Sequence, residues 1–164
     1  MFKIAFSGSQ NCGKTTKAHF FYFSCLRLGL NVELVEETAR MCPYPLDNSA
    51  DFKTQDWISK KQLELEKLAV SKNPDIVICD RSILDPLVYS TVLYENGKMS
   101  SNELNIIKAR VGDWVRTYDS IVLCQVCPMV NDGLRYTNTE AQAHTNSLFD
   151  KIAKDFKLTN IRIA

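Results

Sequence analysis

No apolar run in this 164-residue chain approaches the roughly 18–20 positions that a bilayer-spanning helix needs, so no membrane span is expected. Charge of one sign is also lacking: 20 Lys and Arg against 19 Asp and Glu leave a net charge of +1. That balance gives no bulk attraction to nucleic acid or lipid, and only a local patch could bind either. The start, Met1-Phe2-Lys3-Ile4-Ala5, enters a strand-like run directly, so no secretory signal is expected and the expected location is the cytoplasm. Internal repeats, low-complexity tracts and linkers are missing too, and the length suits a single domain over residues 1–164 with one core. Histidine occurs twice, and His19 and His144 stand isolated and read as ordinary helix residues. Six cysteines are present, but nothing points to secretion and disulfides are not expected. Cys79 and Cys124 fall in predicted strands as small hydrophobes. Cys124-Gln125-Val126-Cys127 has no second pair to complete a zinc site.

What is present is concentrated near the start. Gly8-Ser9-Gln10-Asn11-Cys12-Gly13-Lys14-Thr15, followed by Thr16, fits the Walker A pattern G-x-x-x-x-G-K-[ST]. An apolar, β-forming run (2–7) precedes it and a proline-free segment (16–30) with helical apolar spacing follows. Strand, glycine-rich loop and helix together make a phosphate-binding loop. Gly8 and Gly13 permit backbone angles that a Cβ would block, so successive N–H groups can face one concavity at a helix N-terminus. Lys14 is expected on the β- and γ-phosphates and the Thr15 hydroxyl on Mg²⁺, which makes ATP and Mg²⁺ the expected cofactors. Cys12 lies in the loop near a helix N-terminus, where thiol pKa values fall.

The rest alternates strand and helix. Strands are predicted at 31–36, 75–80, 119–126 and 158–163, and helices at 51–71, from about 82 to Asn96-Gly97, from a cap at Ser101 or Asn102 with Glu103 to about 117, and at 139–156. Pro43 and Pro45 make 41–48 irregular. The pattern predicts an α/β doubly wound fold, a P-loop NTPase with a five-stranded parallel sheet flanked by helices. Ligands in such sheets bind beyond the carboxyl ends of the strands. There the phosphate loop, Glu36 and Glu37, Asp80 and Arg81, and the loop Asp132-Gly133-Leu134-Arg135 are expected to converge.

Asp80 ends an apolar strand in the Walker B manner, an acid suited to Mg²⁺ together with Thr15. Arg81 suits bidentate phosphate contact or a carboxylate partner. If the strand continues, Glu36 and Glu37 point to opposite faces, so one of them is expected to reach the cleft and orient or deprotonate an acceptor hydroxyl. Arg40 follows three residues after Glu37 and would assist. Arg135 is expected as a lid cation over the transferring phosphoryl group. Trp57 and Gln62, on the helix after the second strand, offer an aromatic face and an amide for a flat base.

Residues 8–16, Val35-Glu36-Glu37-Thr38-Ala39-Arg40, Cys79-Asp80-Arg81-Ser82 and Asp132-Gly133-Leu134-Arg135 together resemble the ribosylnicotinamide kinase domain of bifunctional NAD-salvage proteins. That domain belongs to a broader group of small P-loop kinase-like AAA ATPases, many of them phage-encoded, in which case the location would be the host cytoplasm. The pattern is similar to deoxyribonucleoside kinases as well, and the two resemblances imply a nucleoside- and nucleotide-kinase-like fold. The resemblance implies Glu36 or Glu37 as base, Asp80 and Arg81 on metal and phosphates, and Arg135 as lid cation. The 164 residues contain no adenylyltransferase segment, which widens the expected acceptors to another nucleoside, a nucleotide, or a hydroxymethylated pyrimidine in DNA. A nucleotide-dependent switch without an acceptor is the remaining alternative.

Overall fold

The apolar run at the start forms strand β1 (Phe2–Ser7) in a computed structural model that describes residues 1–124 and 139–164. After the loop come α1 (Lys14–Arg27), β2 (Val32–Val35), a 3₁₀ turn (Thr38–Met41), α2 (Phe52–Ser71) and β3 (Ile76–Asp80). They are followed by α3 (Leu84–Glu95), α4 (Ser101–Trp114), β4 (Ser120–Leu123), α5 (Thr139–Asp155) and β5 (Ile161–Ile163). Among the described residues the five strands pair in parallel in the order β2-β3-β1-β4-β5. The chain order reverses around β1, which makes the carboxyl ends of β1 and β3 the place for a ligand.

Side-chain alternation divides the core. Ala5, Val77, Cys79, Ile121 and Leu123 face helices α2 to α5, meeting Leu84, Val88, Ile107, Val111 and Phe149. Ile4, Phe6, Ile78 and Val122 face the other way, toward Ala18 and Cys25 of α1. Those α1 positions sit seven apart, so they define one buried stripe, and Phe20, Phe23 and Leu26, off that stripe, are left exposed.

A buried polar cluster braces the larger half. Lys3 Nζ is 2.7 Å from Glu66 Oε2 and stacks over the rings of Trp114 and Tyr118. Glu66 also accepts from Trp114 Nε1 (2.7 Å), Tyr118 Oη (2.5 Å) and Gln62 Nε2 (2.8 Å). With its partners in place, a fully buried carboxylate is tolerated.

Several boundaries differ from the sequence reading for local reasons. Ser100, not Ser101 or Asn102, caps α4, in a reciprocal box with Glu103. Asp51 is the cap of α2 rather than its first residue, accepting from Thr54 N. Strand β4 ends at Leu123, so Cys124 follows it, and β5 is confined to Ile161–Ile163. Arg135 with Asp132-Gly133-Leu134, and Cys127, lie outside the described residues. No described helix is long and apolar enough to cross a membrane.

Candidate active site

The phosphate loop connects β1 to α1 under tight constraint. Gly8 has φ 135°, and a Cβ there would lie 2.8 Å from the Cys124 carbonyl oxygen and 3.2 Å from Cys12 Sγ. Gly13 (φ 75°) precedes α1 in the left-handed region with no side-chain cap, and the first turn of α1 carries no acid. The helix N-terminus therefore keeps its N–H groups and positive dipole end available to an anion. Lys14 is buried and donates from Nζ to the Ser9 carbonyl (2.5 Å) and toward Cys12 Sγ (3.4 Å). The Cys12 thiol is lowered to about 6, chiefly by its hydrogen bond with Cys124 and then, against burial, by Lys14.

Sheet register explains what surrounds the loop. Phe6 pairs with Asp80, which sets Asp80 beside the strand end from which the loop springs. Asp80 is 1% exposed, and neither carboxylate oxygen has a hydrogen bond of normal geometry among the described residues. Burial pushes its carboxyl above the usual carboxylate range; the nearby Thr15 hydroxyl opposes this and Glu37 adds to it. A buried oxygen-donor acid with unused lone pairs next to a threonine hydroxyl fits a hard divalent cation such as Mg²⁺.

Val35 pairs with Cys79, so Glu36 emerges level with Asp80. Strand β2 ends at Val35 and Glu37 turns into the 3₁₀ segment. Of the two, Glu37 lines both cavities of the cleft, and Glu36 lines neither. Glu36 lies 3.4 Å from His19 Nε2. Glu37 accepts from Arg81 Nε (2.6 Å) and Arg40 Nε (2.7 Å). Burial alone would raise the Glu37 carboxyl, but Arg81 and Arg40 outweigh it and hold it below the usual range.

Arg81 has φ 86°, an uncommon angle for a residue with a Cβ, held by its N–H to the Phe6 carbonyl (3.0 Å) and by Gln62 Nε2 on its own carbonyl (3.2 Å). The twist aims its guanidinium into the cleft, where Nη1 donates to Asp85 Oδ1 (3.0 Å). Burial works against its charge, yet Asp85, Tyr89 and Glu37 keep its pKa above the ordinary value. Asp85 also accepts from the Ser82 N–H and hydroxyl, so the arginine's partner is itself fixed.

Two cavities meet here. One, of about 640 Å³, is lined by residues 10–16 together with Glu37, Arg40 and Arg81. The other, of about 180 Å³, includes Gln10, Glu37, Gln55, Ile58, Arg81 and Tyr89 in its lining. Gln10, Glu37 and Arg81 belong to both. Gln62 lines the smaller cavity, but its amide is engaged: it accepts from Thr38 Oγ1 (2.9 Å) and donates to Glu66 and the Arg81 carbonyl. Gln55, seven residues earlier on the same helix face, makes no side-chain hydrogen bond among the described residues and opens to the cavity. Trp57 is half-buried and is not in that lining. Sequence reasoning missed Gln55, Asp85, Tyr89 and His19; the seven-residue spacing from Gln62 was a usable signal for Gln55.

The parallel sheet, the loop after β1 and the acid ending β3 define a P-loop NTPase with a nucleoside- and nucleotide-kinase-like fold. A family model described as an AAA domain matches residues 3–164, and the chain belongs to that family. No curated protein sequence matches the chain. Among solved structures, a deoxyadenosine kinase from M. mycoides with dCMP and dCDP bound is 19% identical, with TM-score 0.70, covering 99% of this chain and 90% of that one. NadR in complex with NR is 18% identical, with TM-score 0.73, over 99% of this chain and 45% of that one. A thymidylate kinase from Ehrlichia chaffeensis is 20% identical, with TM-score 0.64, over 99% and 85%.

Proposed function

We propose that this chain is a small Mg²⁺- and ATP-dependent kinase that transfers the γ-phosphoryl group to a hydroxyl of a nucleoside-like acceptor. One observation carries the reading: Glu37 and Arg81 line both the phosphate-loop cavity and the smaller, largely apolar cavity beside it. A phosphoryl group passing from the first to an acceptor in the second would cross between them. The likeness to a deoxyadenosine kinase and a thymidylate kinase supports the same reading.

The roles follow from chemistry. The loop amides of residues 8–16 bind phosphate, and Lys14 Nζ exchanges the Ser9 carbonyl for a phosphate oxygen. Thr15 and Asp80 would hold the cation, which would supply charge neutralisation to the phosphates. Glu37 stays ionised and accepts a hydrogen bond from the acceptor hydroxyl, holding it in line. Phosphoryl transfer has a loose transition state that asks more for positioning than for a strong base, so a carboxylate of low pKa suffices. Arg81 stabilises the equatorial oxygens, and Arg40 and Arg135 add positive charge. The Gln55 amide and the Tyr89 ring are placed to hold the acceptor's base.

The test is transfer from γ-labelled ATP with Mg²⁺ to nucleosides, nucleoside monophosphates, nicotinamide riboside and hydroxymethylated DNA. A labelled nucleoside or nucleotide product supports the reading and names the acceptor. Label on DNA alone would move the assignment to a DNA-modifying kinase. ATP hydrolysis unaffected by every member would replace it with a nucleotide-dependent switch.

A further inference from the structure

His19, Glu36 and Asp80 form a cluster that phosphoryl transfer does not use as a whole. One nitrogen or oxygen atom from each lies within 4.8 Å of the others. The three come from different elements: α1 one turn beyond Thr15, the residue after β2, and the end of β3. The Val35–Cys79 register and the packing of α1 on β1 and β3 bring them together.

The imidazole's orientation is informative. His19 Nδ1 is 2.9 Å from the Thr15 carbonyl oxygen. A carbonyl only accepts, so Nδ1 carries the proton, and in the neutral ring Nε2 presents its lone pair. That lone pair faces Glu36 Oε1 at 3.4 Å and the Asp80 carboxylate beyond it. In that neutral form three lone-pair-bearing atoms converge on one point. Asp80 is 1% exposed with both oxygens lacking hydrogen-bond partners among the described residues, so the cluster has an unspent buried ligand aimed into it. An imidazole whose Nδ1–H is fixed by a backbone carbonyl is also the usual arrangement of a metal-binding histidine.

We infer that His19, Glu36 and Asp80 form a protein-borne site for a divalent transition-type cation, of the Mn²⁺, Co²⁺ or Zn²⁺ class, which the chain binds without nucleotide. One imidazole and two carboxylates favour such a borderline ion over Mg²⁺, which prefers all-oxygen surroundings. Asp80, having two oxygens, serves this site and the nucleotide-linked cation at Thr15. The site is independent of the acceptor's identity and of whether the chain transfers phosphate.

The experiment uses the whole chain without nucleotide. Mn²⁺ is titrated against excess Mg²⁺ while free Mn²⁺ is followed by electron paramagnetic resonance, and the bound ion is probed by electron spin echo envelope modulation. The expected result is a single bound Mn²⁺ with nitrogen modulation from the imidazole. His19→Gln should abolish that modulation and weaken binding at least about tenfold, a loss no smaller than that seen on removing a ligand's outer partner. Glu36→Gln, at an exposed side chain, should weaken binding similarly while leaving the fold intact by circular dichroism. No Mn²⁺ retained in the presence of Mg²⁺, or Mn²⁺ bound without nitrogen modulation, would overturn the site. Because no nucleotide or acceptor is present, either result is separable from failure of the kinase assay.

Discussion

Glu37 Oε1 receives Arg81 Nε at 2.6 Å, and this pair stands at the boundary between the phosphate-loop cavity and the smaller cavity beside it. Glu37→Gln should therefore lower kcat by roughly 10²–10³, within the range for a positioned proton acceptor, and leave the ATP dissociation constant within about threefold. Steady-state kinetics beside ATP binding by calorimetry would check it; an unchanged kcat would remove Glu37 from the reaction.

The same pair sets a pH dependence. The Glu37 carboxyl is lowered in the folded protein by Arg81 and Arg40 against the effect of burial. Its contribution to stability is thus fully present above the ordinary carboxylate pKa, about 4.3, and is lost as pH falls through the lower folded value. Urea unfolding from pH 7 to pH 3 should show a loss of stability at the acid end that is smaller in Glu37→Gln. Equal losses in both proteins would contradict the assignment.

Asp80 has the opposite sign. Its carboxyl is raised by burial, so ionisation costs stability above the folded pKa, and the cost is relieved as pH falls toward the unfolded value. Asp80→Asn should raise the stability of the ligand-free protein at pH 7 by about 1–3 kcal/mol, with Tm rising by roughly 2–4 °C per kcal/mol, and abolish transfer. The stability gain should shrink as pH falls toward about 4, near the ordinary aspartate value, and be absent below it. Scanning calorimetry with excess chelator would show it; a destabilised Asn variant would mean the carboxylate is satisfied in the free protein.

Much of this site was legible because its chemistry is encoded locally. Gly8 to Thr16 and Cys79-Asp80-Arg81 each join a strand end to a loop, so sequence order alone sets them at one sheet edge. What depends on register was not legible: Glu36 and Asp80 were expected at one sheet edge, but not their approach to His19. Glu36 and His19 approach Asp80 only because Val35 pairs with Cys79 and α1 lies across β1 and β3, facts separated by tens of residues. Strand alternation turned Glu36 and Glu37 different ways; β2 stops at Val35, and Glu37 turns into the 3₁₀ segment and lines the cleft while Glu36 sits beside His19. Gln62 was expected to offer its amide to a flat base, yet its polarity serves Glu66, Thr38 and the Arg81 carbonyl, and Gln55 holds the open amide.

Lys3 illustrates a polar residue in the core whose partners are all distant in sequence. It is 1% exposed, 2.7 Å from Glu66, and lies between Trp114 and Tyr118. Lys3→Met keeps the stem and the ring contacts but strips Glu66 of its counter-charge, which should cost about 3–5 kcal/mol in equilibrium urea unfolding. The two charges act as a unit, so Lys3→Met with Glu66→Gln should recover part of the loss. The Gln would keep the donors Trp114, Tyr118 and Gln62 partly satisfied without a charge to compensate. Strict additivity of the two substitutions would mean that the pair is not coupled.

Gly8 gives the sharpest backbone prediction. Its φ of 135° suits glycine, and a Cβ would sit 2.8 Å from the Cys124 carbonyl oxygen, a backbone atom held by Cys124 N–H to Ser7 O at 2.8 Å. Neither side can yield without breaking the β1–β4 ladder. Gly8→Ala should therefore destabilise the chain by about 2–4 kcal/mol and weaken ATP binding at least tenfold, since the loop amides can no longer converge. Gly97 is the control: its φ of 69° also favours glycine, but a Cβ there meets nothing within 4 Å. Gly97→Ala should carry only the conformational cost, of order 1 kcal/mol, with ATP affinity unchanged. Equal losses of ATP affinity at the two positions would show that the close approach to Cys124 does not shape the phosphate loop.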